Sequence, residues 1–146
     1  MKVLVVVDMQ NDFVSGALGT PERGLTDLGR RAVRKIEDLG MILDVSHLND
    51  TSFWDLLDAA SGPVVATHSN CRALCDQRRN LTDDQLKALA ETGGMVGLNS
   101  FNEFVHPDIH KQTVENLVKH LVHMVEIMGI DHVGFGFDFC EYLCGD

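Results

Sequence analysis

The chain has 146 residues, with 22 acidic against 12 basic side chains and a formal net charge of −10. That length suits one domain over residues 1–146 with one core, and an apolar fraction of 45% argues against disorder. So acidic a surface repels phosphate backbones and anionic lipid, which excludes nucleic acid and membrane surfaces as partners.

The first predicted element is a strand over residues 3–7, Val3 to Val7. Asp8 ends this run after five apolar residues, short of the ~7–15 of a secretory leader. Nowhere does an apolar run approach the ~20 residues of a membrane span. A cytoplasmic protein is the expectation. A loop with Gly16, Gly19 and Pro21 follows.

Thr26 can cap a helix whose apolar positions are Leu28, Ala32, Ile36 and Leu39, stopped by Gly40. Residues 41–46 read as a strand ending at His47. Thr51 opens a second helix with Phe53 and Trp54 in the core, ended by Gly62-Pro63. Residues 64–67 form the next strand, ending at His68, and a polar irregular stretch runs to Asn80. Thr82 and Gln85 make a capping box, with Leu81 and Leu86 as its hydrophobic staple. That third helix ends at Gly93-Gly94, and residues 95–98 are a strand. Val114, Leu117, Val118, Leu121, Val125 and Met128 line one face of a fourth helix closed by Gly129. His120 and His123 fall on its solvated side. The last strand, residues 132–137, ends at Asp138. The alternation of helices and strands predicts a parallel sheet with right-handed crossovers. It fits a doubly wound sheet or about half of a (β/α)8 barrel, which needs ~250 residues when complete.

Polar side chains close three strands: His47, His68 and Asp138. The C-terminal edge of a parallel sheet is where such folds build active sites. Adjacent strands lie ~4.8 Å apart, so imidazoles at matching heights can share metal ions. Neutral imidazole suits zinc. The four cysteines form two C-x3-C pairs, Cys71/Cys75 and Cys140/Cys144, and read as reduced, half-buried thiols.

From Arg23-Gly24-Leu25-Thr26 to Asp138 the chain resembles the membrane dipeptidase family, also called renal dipeptidase or peptidase M19. The resemblance is carried by Leu39-Gly40-Met41-Ile42-Leu43-Asp44-Val45-Ser46-His47 and Pro63-Val64-Val65-Ala66-Thr67-His68-Ser69-Asn70. It continues in Arg72-Ala73-Leu74-Cys75, Arg78-Arg79-Asn80-Leu81 and Gly129-Ile130-Asp131-His132-Val133-Gly134-Phe135-Gly136-Phe137-Asp138. It implies the C-terminal half of a (β/α)8 TIM-type barrel over residues 23–146, plus one N-terminal strand. It also implies a zinc-dependent hydrolase of dipeptides. His47 and His68 match the family's zinc-binding histidines. Arg79 matches the arginine that holds the substrate carboxylate, a task suited to the guanidinium fork. Asp138 matches the acid that handles the proton of the attacking water.

The family's bridging glutamate and its substrate-contacting histidine have no counterpart here, so weakened metal binding and impaired turnover are expected. Residues 1–22 resemble instead the start of nicotinamidase/isochorismatase-type cysteine hydrolases, through Leu4-Val5-Val6-Val7-Asp8-Met9-Gln10-Asn11-Asp12-Phe13. The same segment also aligns with the dipeptidase first strand, and then Asp12 is offered to a metal. Three readings follow: a zinc dipeptidase, a non-catalytic metal-binding remnant of one, or a cysteine hydrolase. Half a barrel leaves two sheet edges open, so self-association is expected.

Overall fold

The computed structural model describes residues 4–6, 19–20 and 24–139. Asp8, Asp12, Cys140 and Cys144 lie outside them. Five strands form one parallel sheet: β1 (Leu4–Val6), β4 (Met41–Asp44), β5 (Val64–Ser69), β6 (Val96–Leu98) and β7 (Val133–Phe135). A short antiparallel pair, β2 (Gly19–Thr20) with β3 (Gly24–Leu25), precedes the first helix. The sheet order is β1-β4-β5-β6-β7. Each crossover thus moves one place in the same direction, and the order never reverses. A doubly wound sheet reverses at its switch point, whereas a (β/α)8 barrel does not. The fold is the α/β arrangement of half such a barrel.

The main helices are α1 (Asp27–Asp38), α2 (Asp50–Ala59), α3 (Asp83–Glu91) and α5 (Val114–Met128). One contiguous core joins them to the sheet. Leu43, Val45, Val64, Ala66, Val96 and Leu98 pack against Val33, Phe53, Leu56, Leu86, Leu89 and Met124. Thr26 caps α1, accepting from the Gly29 N–H at 3.2 Å. The Thr82–Gln85 capping box opens α3, and Gly129 closes α5 at φ +85°, a conformation glycine adopts without strain.

Several expectations shift. Asn49, not Thr51, caps α2, through its acceptance of the Ser52 N–H at 2.8 Å; Thr51 is exposed in the first turn. Val33, with Gly29, is buried in α1, and Leu28 and Leu39 face outward. Helix α5 is apolar over more than half its circumference, so its sequence pattern fits two stripes. The stripe that packs is Leu117, His120, Leu121, Met124 and Met128, while Val114 and Val118 are exposed. Trp54 lies largely exposed, edge-on to the buried Phe53 ring at 5.1 Å. A one-turn helix, α4 (Asn102–Val105), and 3-10 turns at Ile109–Lys111 and Ile130–His132 are too short to leave a periodic signal.

Strand β5 runs past His68 to Ser69 and carries an irregularity. Ala66 pairs with Val96 and Ser69 with Leu98, so β5 holds one residue more than β6 over that span. Such a bulge bends the strand and re-aims its side chains. Neighbouring glycines make room for it. A Cβ on Gly97 or Gly136 would collide with the Thr67 carbonyl oxygen.

Candidate metal centre

The site stands where β4 and β5 end. Beyond β4 the chain turns through Ser46 and His47, and β5 delivers Thr67 and His68 beside it. The bulge at Thr67–His68 lies where the two histidine rings meet. His47 Nε2 and His68 Nε2 are 2.8 Å apart, with ring centroids 4.9 Å apart and planes inclined by 59°. His68 is buried and His47 half-buried.

The partners fix the tautomers. An arginine can only donate. Arg79 Nη2 donates to His47 Nε2 at 3.1 Å, so that nitrogen carries a lone pair. His68 Nδ1 lies 2.8 Å from Thr67 Oγ1. The Thr67 hydroxyl spends its one proton on Asp44 Oδ2, so its oxygen accepts from His68 Nδ1–H. A neutral His68 therefore also has its lone pair on Nε2. Two lone pairs converge on one point, an arrangement that a cation or a shared proton satisfies. His47 and His68 could hold a metal ion there. Among the described residues, no group of three or more His, Cys, Asp or Glu side chains converges to hold one.

Asp138, after β7, brings Oδ2 to 4.0 Å from His68 Nε2. Its φ of +56° is left-handed, a region that aspartate tolerates better than most side chains. Ser100 secures the residue before it: backbone N–H and hydroxyl both donate to the Phe137 carbonyl, at 3.2 and 2.7 Å. Arg79 sits 5.4 Å over the Phe104 ring, in cation–π range. The structure thus brings His47, His68, Arg79 and Asp138 to one rim.

The loop that presents Arg79 is tied down on both sides. Arg72 forms a two-pronged pair with Asp50 at 2.8 and 2.8 Å and donates to the Asn80 carbonyl at 2.8 Å. The Arg72 hydrogen bonds hold the Asp50 carboxyl below its ordinary value, and the carboxylate in turn raises the guanidinium. Asn80 Nδ2 donates to the carbonyls of Cys75 and Phe104, both at 2.9 Å. A cavity of about 180 Å³ opens among His47, Asp50, Arg72, Arg78 and Arg79. A wider cleft of about 1060 Å³ adjoins Asp138, lined in part by Gln77, Phe101, His106 and Ile109.

Cys71 and Cys75 are buried and free. Burial pushes the Cys71 thiol up to about 12 and raises Cys75 as well, so neither is an activated nucleophile. His120 is buried rather than solvated: Nδ1 accepts from the Cys71 N–H at 3.1 Å, and Nε2 donates to the Val105 carbonyl at 3.0 Å. His123 meets Asp83 at 2.8 Å, and His132 donates to the Gly94 carbonyl at 2.7 Å. Asp44 and Thr67 were not singled out from sequence. The available signal was an aspartate inside the apolar run Met41-Ile42-Leu43-Asp44-Val45.

The family model described as membrane dipeptidase (peptidase family M19) matches residues 5–143, so it includes most of the segment that also resembles the cysteine hydrolases. An uncharacterized protein in the pqqA 5′ region of Klebsiella pneumoniae is 42% identical over 141 residues, covering 90% of this chain and 52% of that protein. Dipeptidase tcpJ of Claviceps purpurea is 37% identical over 116 residues, covering 80% of this chain and 27% of tcpJ. A metallo peptidase from Rhodobacter sphaeroides, solved with a phosphinate mimic of the dipeptide L-Ala-D-Ala, superposes with a TM-score of 0.75 at 43% identity, covering 84% of this chain and 36% of that one. The chain thus spans about half or less of the relatives it matches. A match across nearly the whole sequence, with a parallel half-barrel whose strand ends gather His47, His68 and Asp138, places the chain in the membrane dipeptidase family, peptidase family M19.

Proposed function

We propose that this chain forms one wall of a zinc-dependent dipeptidase site and hydrolyses dipeptides weakly on its own. One observation carries the reading: two imidazole nitrogens, His47 Nε2 and His68 Nε2, lie 2.8 Å apart at the end of the sheet. Neutral imidazoles with converging lone pairs are a donor set that suits zinc. His47 and His68 would hold the metal, with Asp12 a further candidate ligand from the first segment. Zinc supplies Lewis acidity, polarising a carbonyl and making water a stronger acid near neutral pH.

The chain's own residues do the rest. Arg79 can hold a dipeptide's terminal carboxylate by two parallel N–H donations, and its present contact with His47 keeps the guanidinium at the site's edge. Asp138, 4.0 Å from His68, would take a proton from attacking water and return it to the leaving amine. The cleft beside Asp138 leaves room for substrate side chains. The dipeptide mimic bound by the Rhodobacter sphaeroides relative supports this substrate class.

Hydrolysis of a dipeptide should be detectable with added zinc, vanish with a chelator, and show a raised KM in Arg79→Ala. Turnover indifferent to the chelator would contradict the reading. A second reading has its own support: among the described residues, His47 and His68 touch and no third His, Cys, Asp or Glu joins them as a ligand set. If zinc binds but no dipeptide is cleaved, the chain is a non-catalytic metal-binding remnant. We expect the chain to self-associate through the exposed apolar side chains of β7 and α5.

A further inference from the structure

Asp44 is a carboxylate only 2% exposed, near the C-terminal end of β4, with no lysine or arginine among its hydrogen-bond donors. Four donations from neutral groups satisfy it instead. Oδ1 accepts from the Ser46 N–H at 2.9 Å, the Ser46 hydroxyl at 2.6 Å and the Thr67 N–H at 3.2 Å. Oδ2 accepts from the Thr67 hydroxyl. A buried carboxylate is costly to keep, and a plain staple between β4 and β5 would not need the charge. The network points one way. Its outlet is the Thr67 hydroxyl, whose oxygen lies 2.8 Å from His68 Nδ1. Ser46 closes the ring from the other side, accepting the His68 backbone N–H at 3.2 Å.

We propose that Asp44 and Thr67 are positioning residues that lock His68 as the Nδ1–H tautomer, leaving its Nε2 lone pair aimed at His47. The relay carboxylate–hydroxyl–imidazole does through one intervening hydroxyl what a carboxylate hydrogen-bonded directly to a ligand histidine does: it fixes ring and tautomer and makes the free nitrogen a better donor to a metal. Without Thr67 as acceptor, His68 is free to carry its proton on Nε2, where it blocks the position between the rings. This rests on the metal-ligand reading of His68, but the tautomer itself is a property of the metal-free chain.

The test is long-range 1H–15N correlation of histidine side chains in the metal-free protein, at a pH where the imidazoles are neutral. Wild type should show His68 with protonated Nδ1 and bare Nε2. Thr67→Val, nearly isosteric, should move His68 toward Nε2–H, and Thr67→Ser should restore the wild-type pattern. Asp44→Asn should resemble Thr67→Val; if it fails to fold, the two Thr67 variants still decide. Zinc affinity by chelator competition should fall about 10–100-fold in Thr67→Val and recover in Thr67→Ser. A wild-type His68 already in the Nε2–H form, or a pattern unchanged in Thr67→Val, overturns the proposal. Absence of zinc binding alongside the expected tautomer pattern would sink the metal reading alone.

Discussion

Cys71 and His120 join the loop after β5 to α5 by a backbone N–H donated to imidazole and a thiol donated to the His120 carbonyl at 3.4 Å. His120 uses both ring nitrogens as a neutral group, accepting at Nδ1 and donating at Nε2. Burial lowers its pKa from the ordinary 6.5, opposed by the hydrogen bond to Val105 and reinforced by the nearby His123 and His106. The sign follows. Above about 6.5 both folded and unfolded chains are neutral here, and the stabilisation is complete. As pH falls below that, the unfolded chain binds a proton that the folded one refuses, so stability declines until the lowered folded pKa is passed. The Cys71 thiol, pushed up to about 12, adds nothing in this range. Urea midpoints at pH 7.5 and 5.5 should therefore differ more in wild type than in His120→Gln. An equal drop in both would contradict the assignment. His120 was illegible from sequence because its burial depends on which of two apolar stripes of α5 packs, and its partners lie 49 and 15 residues away.

Helix α2 shows how local chemistry can be read two residues off. Both Asn49 and Thr51 are residue types that cap helices. Asn49 takes the role because its φ and ψ, −73° and 164°, are extended and its side chain reaches the Ser52 N–H. Replacing Asn49 by alanine should cost about 1 kcal/mol in chemical denaturation, against a few tenths for the exposed Thr51. A larger loss at Thr51 than at Asn49 would return the cap to Thr51. Where sequence carried strong local signals, as in the Thr82–Gln85 box and the Gly129 stop, the elements follow it closely. The strand ends themselves shift, to Asp44, Ser69 and Phe135, but the polar residues that follow or close each apolar run still fall at the C-terminal edge of the sheet. That is why His47, His68 and Asp138 could be named. The relay behind His68 could not be, because the bulge that turns β5 and the Asp44–Thr67 contact both depend on pairing between strands.

At the scale of the fold, β1 and β7 stand at the two ends of the strand order among the described residues. Strand β7 is the last in the order, and the rings of Phe135, Phe137 and Phe139 follow one another at 5.3 and 5.4 Å along and beyond it. Phe135 is 68% and Phe139 80% exposed. On α5, Val114, Val118 and Val122 are exposed at helical spacing. Water contact over so much apolar surface favours association. Sedimentation of the 146-residue chain should show dimers or larger species at micromolar concentration; a monomer throughout would count against it.

The shared site of His47 and His68 is most directly tested by calorimetric zinc titration of wild type beside His47→Ala and His68→Ala. Binding at about one zinc per chain in wild type, lost or greatly weakened in both variants, is the predicted result. Equal zinc binding in all three would contradict it.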